Sequence, residues 1–235
     1  MAPLTIDVSG QSIISRHPER AVLFLDVKSD GPEQEIVSKD VTTTSNNLHQ
    51  HLKELLPKYY DNDLPVDGPV ESFSSTLLRT WSAVPTDDKN KPLDRVYYAT
   101  SSFEVVFYDF KKLSEIVGKL VAQPKVEINS IEWRLAEATK KELGSESRKL
   151  AMRDAIDKAN DYAEVIGREV VAVEINDGDS TPNEGRRRYM MARSSPTRAH
   201  ALDYWNQDVT PFDLNPKQIE FKGSVRVKFE AVAEE

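Results

Sequence analysis

No cysteine occurs among the 235 residues. Disulfides, thiolate nucleophiles, iron–sulfur clusters and cysteine-based zinc sites are therefore excluded. Nor does any apolar run approach the roughly 20 residues of a membrane helix. The opening MAPLTIDVSG lacks a basic segment followed by an apolar one. No secretory signal is expected from it, and the expected location is intracellular, in the cytoplasm. Positive charge is not in excess: 31 Lys and Arg against 39 Asp and Glu give a net charge of −8. Nucleic-acid binding calls for a basic footprint, so nucleic acid is not an expected partner. The sequence also has no G-x-G-x-x-G, Walker A, G-x-S-x-G or H-E-x-x-H motif. With 39% hydrophobic and 30% charged residues, the composition is that of a soluble globular protein of one large or two small domains.

The strongest pattern runs from Ser145 to Gly167. Leu150, Ala151, Ala155, Ala159, Tyr162, Ala163 and Ile166 recur at three and four, which predicts one helical stripe. Because the stripe is mostly alanine, the helix can lie close to a sheet. Gly167 suits a left-handed helix end, and Glu169–Ile175 reads as a buried strand. The last segment is a strand by strict alternation, with Ile219, Phe221, Gly223, Val225, Val227, Phe229 and Ala231 on one face.

Earlier in the chain, Leu4, Ile6 and Val8 predict a short strand ending at Gly10, and Ala21 to Val27 a second. Val37, Val41, Leu48, Leu52 and Leu55 predict a helix that stops at Pro57. Lys58–Pro69 reads as a polar loop. From Val70 to Ala83, Phe73, Leu77 and Trp81 fall on one side of a single long strand. Pro85–Pro92 is expected to be a turn or linker at a domain boundary. Arg95–Tyr108 is a strand, Phe110–Leu120 a short helix, and Val126–Leu135 a strand whose apolar parity slips at Asn129-Ser130, as a β-bulge would make it.

This order predicts an α+β protein of two-layer sandwiches, with helices on one face of mostly antiparallel sheets. Residues 1–94 plus 176–235 would form an α+β body, and 95–175 an inserted ferredoxin-like module. Residues 178–216 would form a long basic loop.

Several segments together resemble the SIMPL-domain family. They are Ile6-Asp7-Val8-Ser9-Gly10, Pro18-Glu19-Arg20-Ala21, the strand Tyr97–Phe107 followed by the helical Lys112–Gly118, and Gly223–Phe229. The most specific is the helix with Arg148, Ala151, Asp154, Ala155, Lys158, Ala159, Ala163 and Gly167. The resemblance covers nearly the whole chain. It implies kinship with bacterial envelope proteins linked to oxidative-stress defence and an animal member linked to kinase signalling. It supplies no catalytic residues, and it implies self-assembly.

Residue chemistry adds little to this. His49 and His51 stand two apart on a predicted helix, pointing about 200° apart, and cannot chelate one metal. His17 precedes a proline, and neither it nor His200 has companions for a catalytic triad. Asn176-Asp177-Gly178-Asp179-Ser180 lacks the spacing of a calcium loop and reads as a turn. No catalytic residue, metal ligand or cofactor is expected. Trp81 and Trp133 are expected in the core. The local binding candidate is the loop with Arg186, Arg187, Arg188, Arg193 and Arg198, followed by Tyr204 and Trp205. Such a mixture can hold phosphate, an acidic partner or a nucleic-acid strand, though a solvated loop has the same composition. Ser194-Ser195-Pro196 within it could accept phosphate, which would lower its positive charge.

The expected function is therefore non-enzymatic: self-assembly into a homo-oligomer or binding of a protein partner, in a stress-related setting. The alternatives are a small-ligand-binding protein or enzyme using a cleft between two α+β units, and phosphate or nucleic-acid binding through the arginine loop.

Overall fold

A computed structural model describes residues 4–59, 65–66, 68–178, 181–183 and 213–231. The elements are β1 (Thr5–Arg16), β2 (Arg20–Gly31), α1 (Gln34–Glu54), β3 (Lys58–Tyr59), β4 (Pro65–Val66), β5 (Val70–Ser75), β6 (Arg79–Ala83) and β7 (Val96–Phe107). There follow α2 (Phe110–Ala122), β8 (Val126–Arg134), α3 (Glu137–Ile166), β9 (Val170–Asp177), β10 (Thr181–Asn183) and β11 (Ile219–Ala231). The architecture is α+β with antiparallel sheets, as the periodicities predict.

The chain divides into two compact units. One comprises residues 1–19, 133–185 and 216–235, and the other 20–132 with 186–215. This grouping differs from the expected one. The long helix α3 and strand β9 join the two chain ends, because α3 packs on β1 and β11. The segment Pro85–Pro92, expected at a boundary, lies inside the second unit as the turn between β6 and β7. It is closed by a bridge between Thr86 and Pro92, and the Asp87 carboxylate accepts the Lys89 and Lys91 amides at 2.8 Å each.

In the first unit β11 is central. It pairs with β1 along one edge, from Thr5–Glu230 to Arg16–Ile219, and with β9 and β10 along the other. β1 therefore runs past Gly10, which was expected to end it. Gly10 is where α3 comes down on the sheet. A Cβ there would clash with the Ala151 carbonyl and stand 2.8 Å from the Ala155 nitrogen. Gly223 of β11 repeats the arrangement against the Ser147 side chain. Ala151, Ala155 and Ala159 pack between these strands with Val8, Val225, Val227 and Phe229. Small residues on both surfaces let the backbones approach, and interior packing leaves no slack for a methyl group.

α3 begins at Glu137, earlier than its apolar stripe suggests, and its entry is held from a distance. The Glu19 carboxylate accepts the Ala136 amide at 2.7 Å, an orphan backbone donor of the helix start, and the Thr139 hydroxyl at 2.9 Å. The helix ends on Gly167 at φ 68°, the left-handed conformation predicted for it.

In the second unit the sheet order is β5-β7-β2-β8, with β6 also on β7. α1 packs on β2 and β7, and α2 turns Leu113, Ile116, Val117 and Leu120 inward. Leu23, Leu25, Val27, Val105 and Phe107 supply the sheet side of that core. On β8 the buried parity passes from Ile128 to Ile131 and Trp133, the slip foreseen at Asn129-Ser130.

The single strand expected over Val70–Ala83 is two strands. At the break the Ser102 amide donates to the Thr76 hydroxyl at 2.9 Å, and the Ser101 hydroxyl donates to the Thr76 carbonyl at 3.0 Å. Beyond it the alternation no longer points inward. Leu77 is 92% exposed and Trp81 47%, which corrects the core assignment of Trp81. Trp133 is buried as expected.

Two glycines test the close-packing account. Gly10→Ala is expected to destabilise the protein by about 1–3 kcal/mol through overpacking. Gly144 lies in mid-helix, where an added Cβ meets nothing nearer than 3.7 Å, so Gly144→Ala is expected to stabilise by about 0.5–1 kcal/mol. Urea unfolding of the two variants reads both signs; a neutral Gly10→Ala would refute the close approach.

Candidate functional site

The sequence-predicted binding loop, Arg186, Arg187, Arg188, Arg193, Arg198, Tyr204 and Trp205, lies outside the described residues, as do His200 and Ser194-Ser195-Pro196. The other histidines are engaged with neighbours. His49 meets the Phe73 ring edge-on at 4.9 Å, His51 faces Glu54 at 3.9 Å, and His17 is 3.3 Å from Gln218. No group of three or more His, Asp or Glu among the described residues is placed to hold a metal ion. Asn176 and Asp177 close β9, and the Gly178 amide donates to the Ser224 carbonyl at 3.0 Å.

One polar cluster was not foreseen, because its members come from three strands. It lies on the sheet of the second unit. Asp26 of β2 accepts from the Ser102 hydroxyl of β7 at 2.6 Å and pairs with Lys28 at 2.9 Å. Lys28 also reaches Glu127 of β8 at 2.9 Å. Burial alone would raise the Asp26 carboxyl, but hydrogen bonds from Ser102, Lys28 and Asn129 outweigh it and hold the group below the ordinary carboxylate value. Burial alone would lower Lys28, but its bonds to Glu127 and Asp26 outweigh that and raise it. Both shifts fix the charged forms at neutral pH. That is the opposite of a group tuned for proton transfer near pH 7.

A concavity of about 600 Å³ is lined by Leu55, Pro69, Tyr108, Phe110, Lys111 and Lys112, among others. It contains the start of α2, but Asp109 already accepts the Lys111 and Lys112 amides there at 2.9 and 3.0 Å. An anion at that helix end would have to displace a carboxylate.

The strand edges of the first unit are more informative. An unpaired edge presents bare amides and carbonyls to other chains. On β1 this edge is covered by α3 at Ser9 and Gln11. Lys158 donates to the Ser9 carbonyl at 2.9 Å, Asp154 accepts the Gln11 amide at 2.7 Å, and the two side chains pair with each other at 2.7 Å. The Lys158 ammonium, followed by the Gln11 amide bond, holds the Asp154 carboxyl below its ordinary value. Charged side chains thus occupy ladder positions that another strand would use.

No such cover of β9 occurs among the described residues, though a register shift against Lys228 and Phe229 interrupts its ladder. Among the described residues its only strand partner is β11. Val171, Val173 and Ile175 are 56, 52 and 59% exposed, against the expectation of a buried strand. The physical reason is the placement of α3, which lies over β1 and β11 and makes far less contact with β9. A second bare edge belongs to β6, whose five residues are all exposed and whose only described partner is β7. Trp81 there stacks on Tyr98 at 5.3 Å, with the Arg79 guanidinium 6.0 Å from the Trp81 ring centre.

The sequence profile of one family, SIMPL, described as "Protein of unknown function (DUF541)", matches residues 6–229. The chain belongs to the SIMPL family. No curated protein matches it. The segments by which this SIMPL chain resembles its family now have physical roles. Gly10 and the alanines of α3 form the close contact, Asp154 and Lys158 close the β1 edge, Glu19 caps α3, and Gly223 admits Ser147. No helix among the described residues of this SIMPL chain is long and apolar enough to cross a membrane.

The polar cluster gives a signed pH prediction. Asp26 titrates lower folded than unfolded, so its contribution is present above the unfolded value of about 4 and is lost as pH falls through the lower folded value. Asp26→Asn should cost about 1 kcal/mol at pH 7, and the deficit should shrink below pH about 4. Urea unfolding of both proteins at the two pH values checks it; a deficit unchanged in acid would count against the ionic account.

Proposed function

We propose that this SIMPL-family protein acts by self-assembly or by binding other proteins rather than by catalysis, inside the cell and in a stress-related setting. The observation that carries the reading is the β9 edge, exposed and apolar among the described residues, set against the β1 edge in the same sheet, which α3 covers at Ser9 and Gln11. Proteins blunt strand edges that must stay single, and strand addition to an open edge is a recurrent way of joining chains. Exposed Trp81 with Arg79 adds a second feature of the kind enriched at protein contacts. The β2-α1-β5-β7-α2-β8 order, with its strand order β5-β7-β2-β8, supports a ferredoxin-like reading of residues 20–132, in place of the 95–175 module expected from the sequence.

Light scattering coupled to size exclusion, over a range of micromolar concentrations, tests the reading. A discrete oligomer that persists on dilution is the expected outcome. A strict monomer that also captures no protein partner would overturn it.

A further inference from the structure

The two bare edges differ in charge. β9, VVAVEIND, carries Glu174 and Asp177 and no basic residue. β6, RTWSA, carries Arg79 and no acid, and exposed Leu77, Leu78 and Val84 flank it. Two copies of β9 laid edge to edge would offer Glu174 and Asp177 no basic partner. Two copies of β6 would likewise offer Arg79 no acid, since an antiparallel pair sets it opposite Ala83. Pairing β9 with β6 instead sets an acidic edge against a basic one and covers apolar side chains on both.

We propose that the β6 edge of one copy adds to the β9 edge of the next, joining copies of this chain head to tail. The inference rests on the self-assembly reading and specifies its contact. Backbone bonds between the edges supply the pairing. On the face of β9 that carries Val171 and Glu174, Leu77 and Trp81 meet Val171 and Arg79 faces Glu174; a register shift against Lys228 and Phe229 puts Ile175 on the other face. Because the two surfaces differ, each copy carries one donor and one acceptor. Such a heterologous contact closes into a ring when the rotation permits and otherwise grows as a filament. A symmetric dimer through β9 alone would use one surface twice.

The complete chain tests this with two variants whose changes fall on exposed positions. The donor variant is Leu77→Asp with Trp81→Asp; the acceptor variant is Val171→Lys with Val173→Lys. Circular dichroism confirms that each folds. Light scattering is expected to give a monomer mass for each alone and twice that mass for an equimolar mixture, in which one intact β6 meets one intact β9. A wild-type oligomer unaffected by either variant overturns the contact while leaving self-assembly standing. So does a mixture that stays monomeric, which would mean that β9 or β6 pairs with itself or with another surface. A wild-type monomer overturns both this contact and self-assembly. If an apolar variant fails to fold, Arg79→Glu and Glu174→Lys replace them. Each is expected to weaken association at least tenfold alone, and mixing is expected to restore it; absence of restoration refutes the pairing.

Discussion

The close approach of α3 to the β1–β11 pair is the contact on which the first unit depends. Gly10 and Gly223 leave room on the sheet, and Ala151, Ala155 and Ala159 leave room on the helix. Alanine buries little area, so the stability of the contact comes from density rather than from large side chains. The same closeness lets short polar groups reach. The Ser12 hydroxyl is 2.8 Å from the Ser147 hydroxyl and 2.9 Å from its carbonyl, in a buried position. It also brings Asp154 and Lys158 within reach of the β1 backbone, which a helix at a greater distance could not close.

That closure makes the two sides of one sheet unequal. β1 has its outward amide at Gln11 and carbonyl at Ser9 occupied by a helix-borne ion pair, while β9 offers its edge with valines exposed. An exposed ion pair contributes little stability. Here it occupies positions that another strand would use, and the helix that carries it lies over β1 and β11 rather than over β9.

Elements with a long, single period were readable in the sequence. The alternation of Ile219–Ala231 and the alanine stripe of α3 both give the observed buried faces, and Gly167 ends the helix as its type suggests. What was not readable depended on partners distant in the chain. The apolar run at β9 is the same string whether a helix covers it or not, so only the position of α3 shows Val171 and Ile175 to be exposed. The alternation Phe73, Leu77, Trp81 carries across the break at Thr76, which is visible only through the bonds from Ser101 and Ser102. The Asp26–Lys28–Glu127 cluster needs the alignment of β2 with β7 and β8. The family resemblance rested on residues that build the fold, which is why it identified the family and supplied no chemistry.

Pairing of Thr5 with Glu230 and of Arg16 with Ile219 sets an order on folding. The sheet of the second unit, between residues 20 and 132, contains all its strands before α3 is made. β1 must wait for β11, at the far end of the chain, and closing so long a loop costs entropy before its contacts return anything. During synthesis the sheet of the second unit can therefore form on the ribosome. β1 stays single until β11 is made, and α3, already present, is the element able to shield it in the interval.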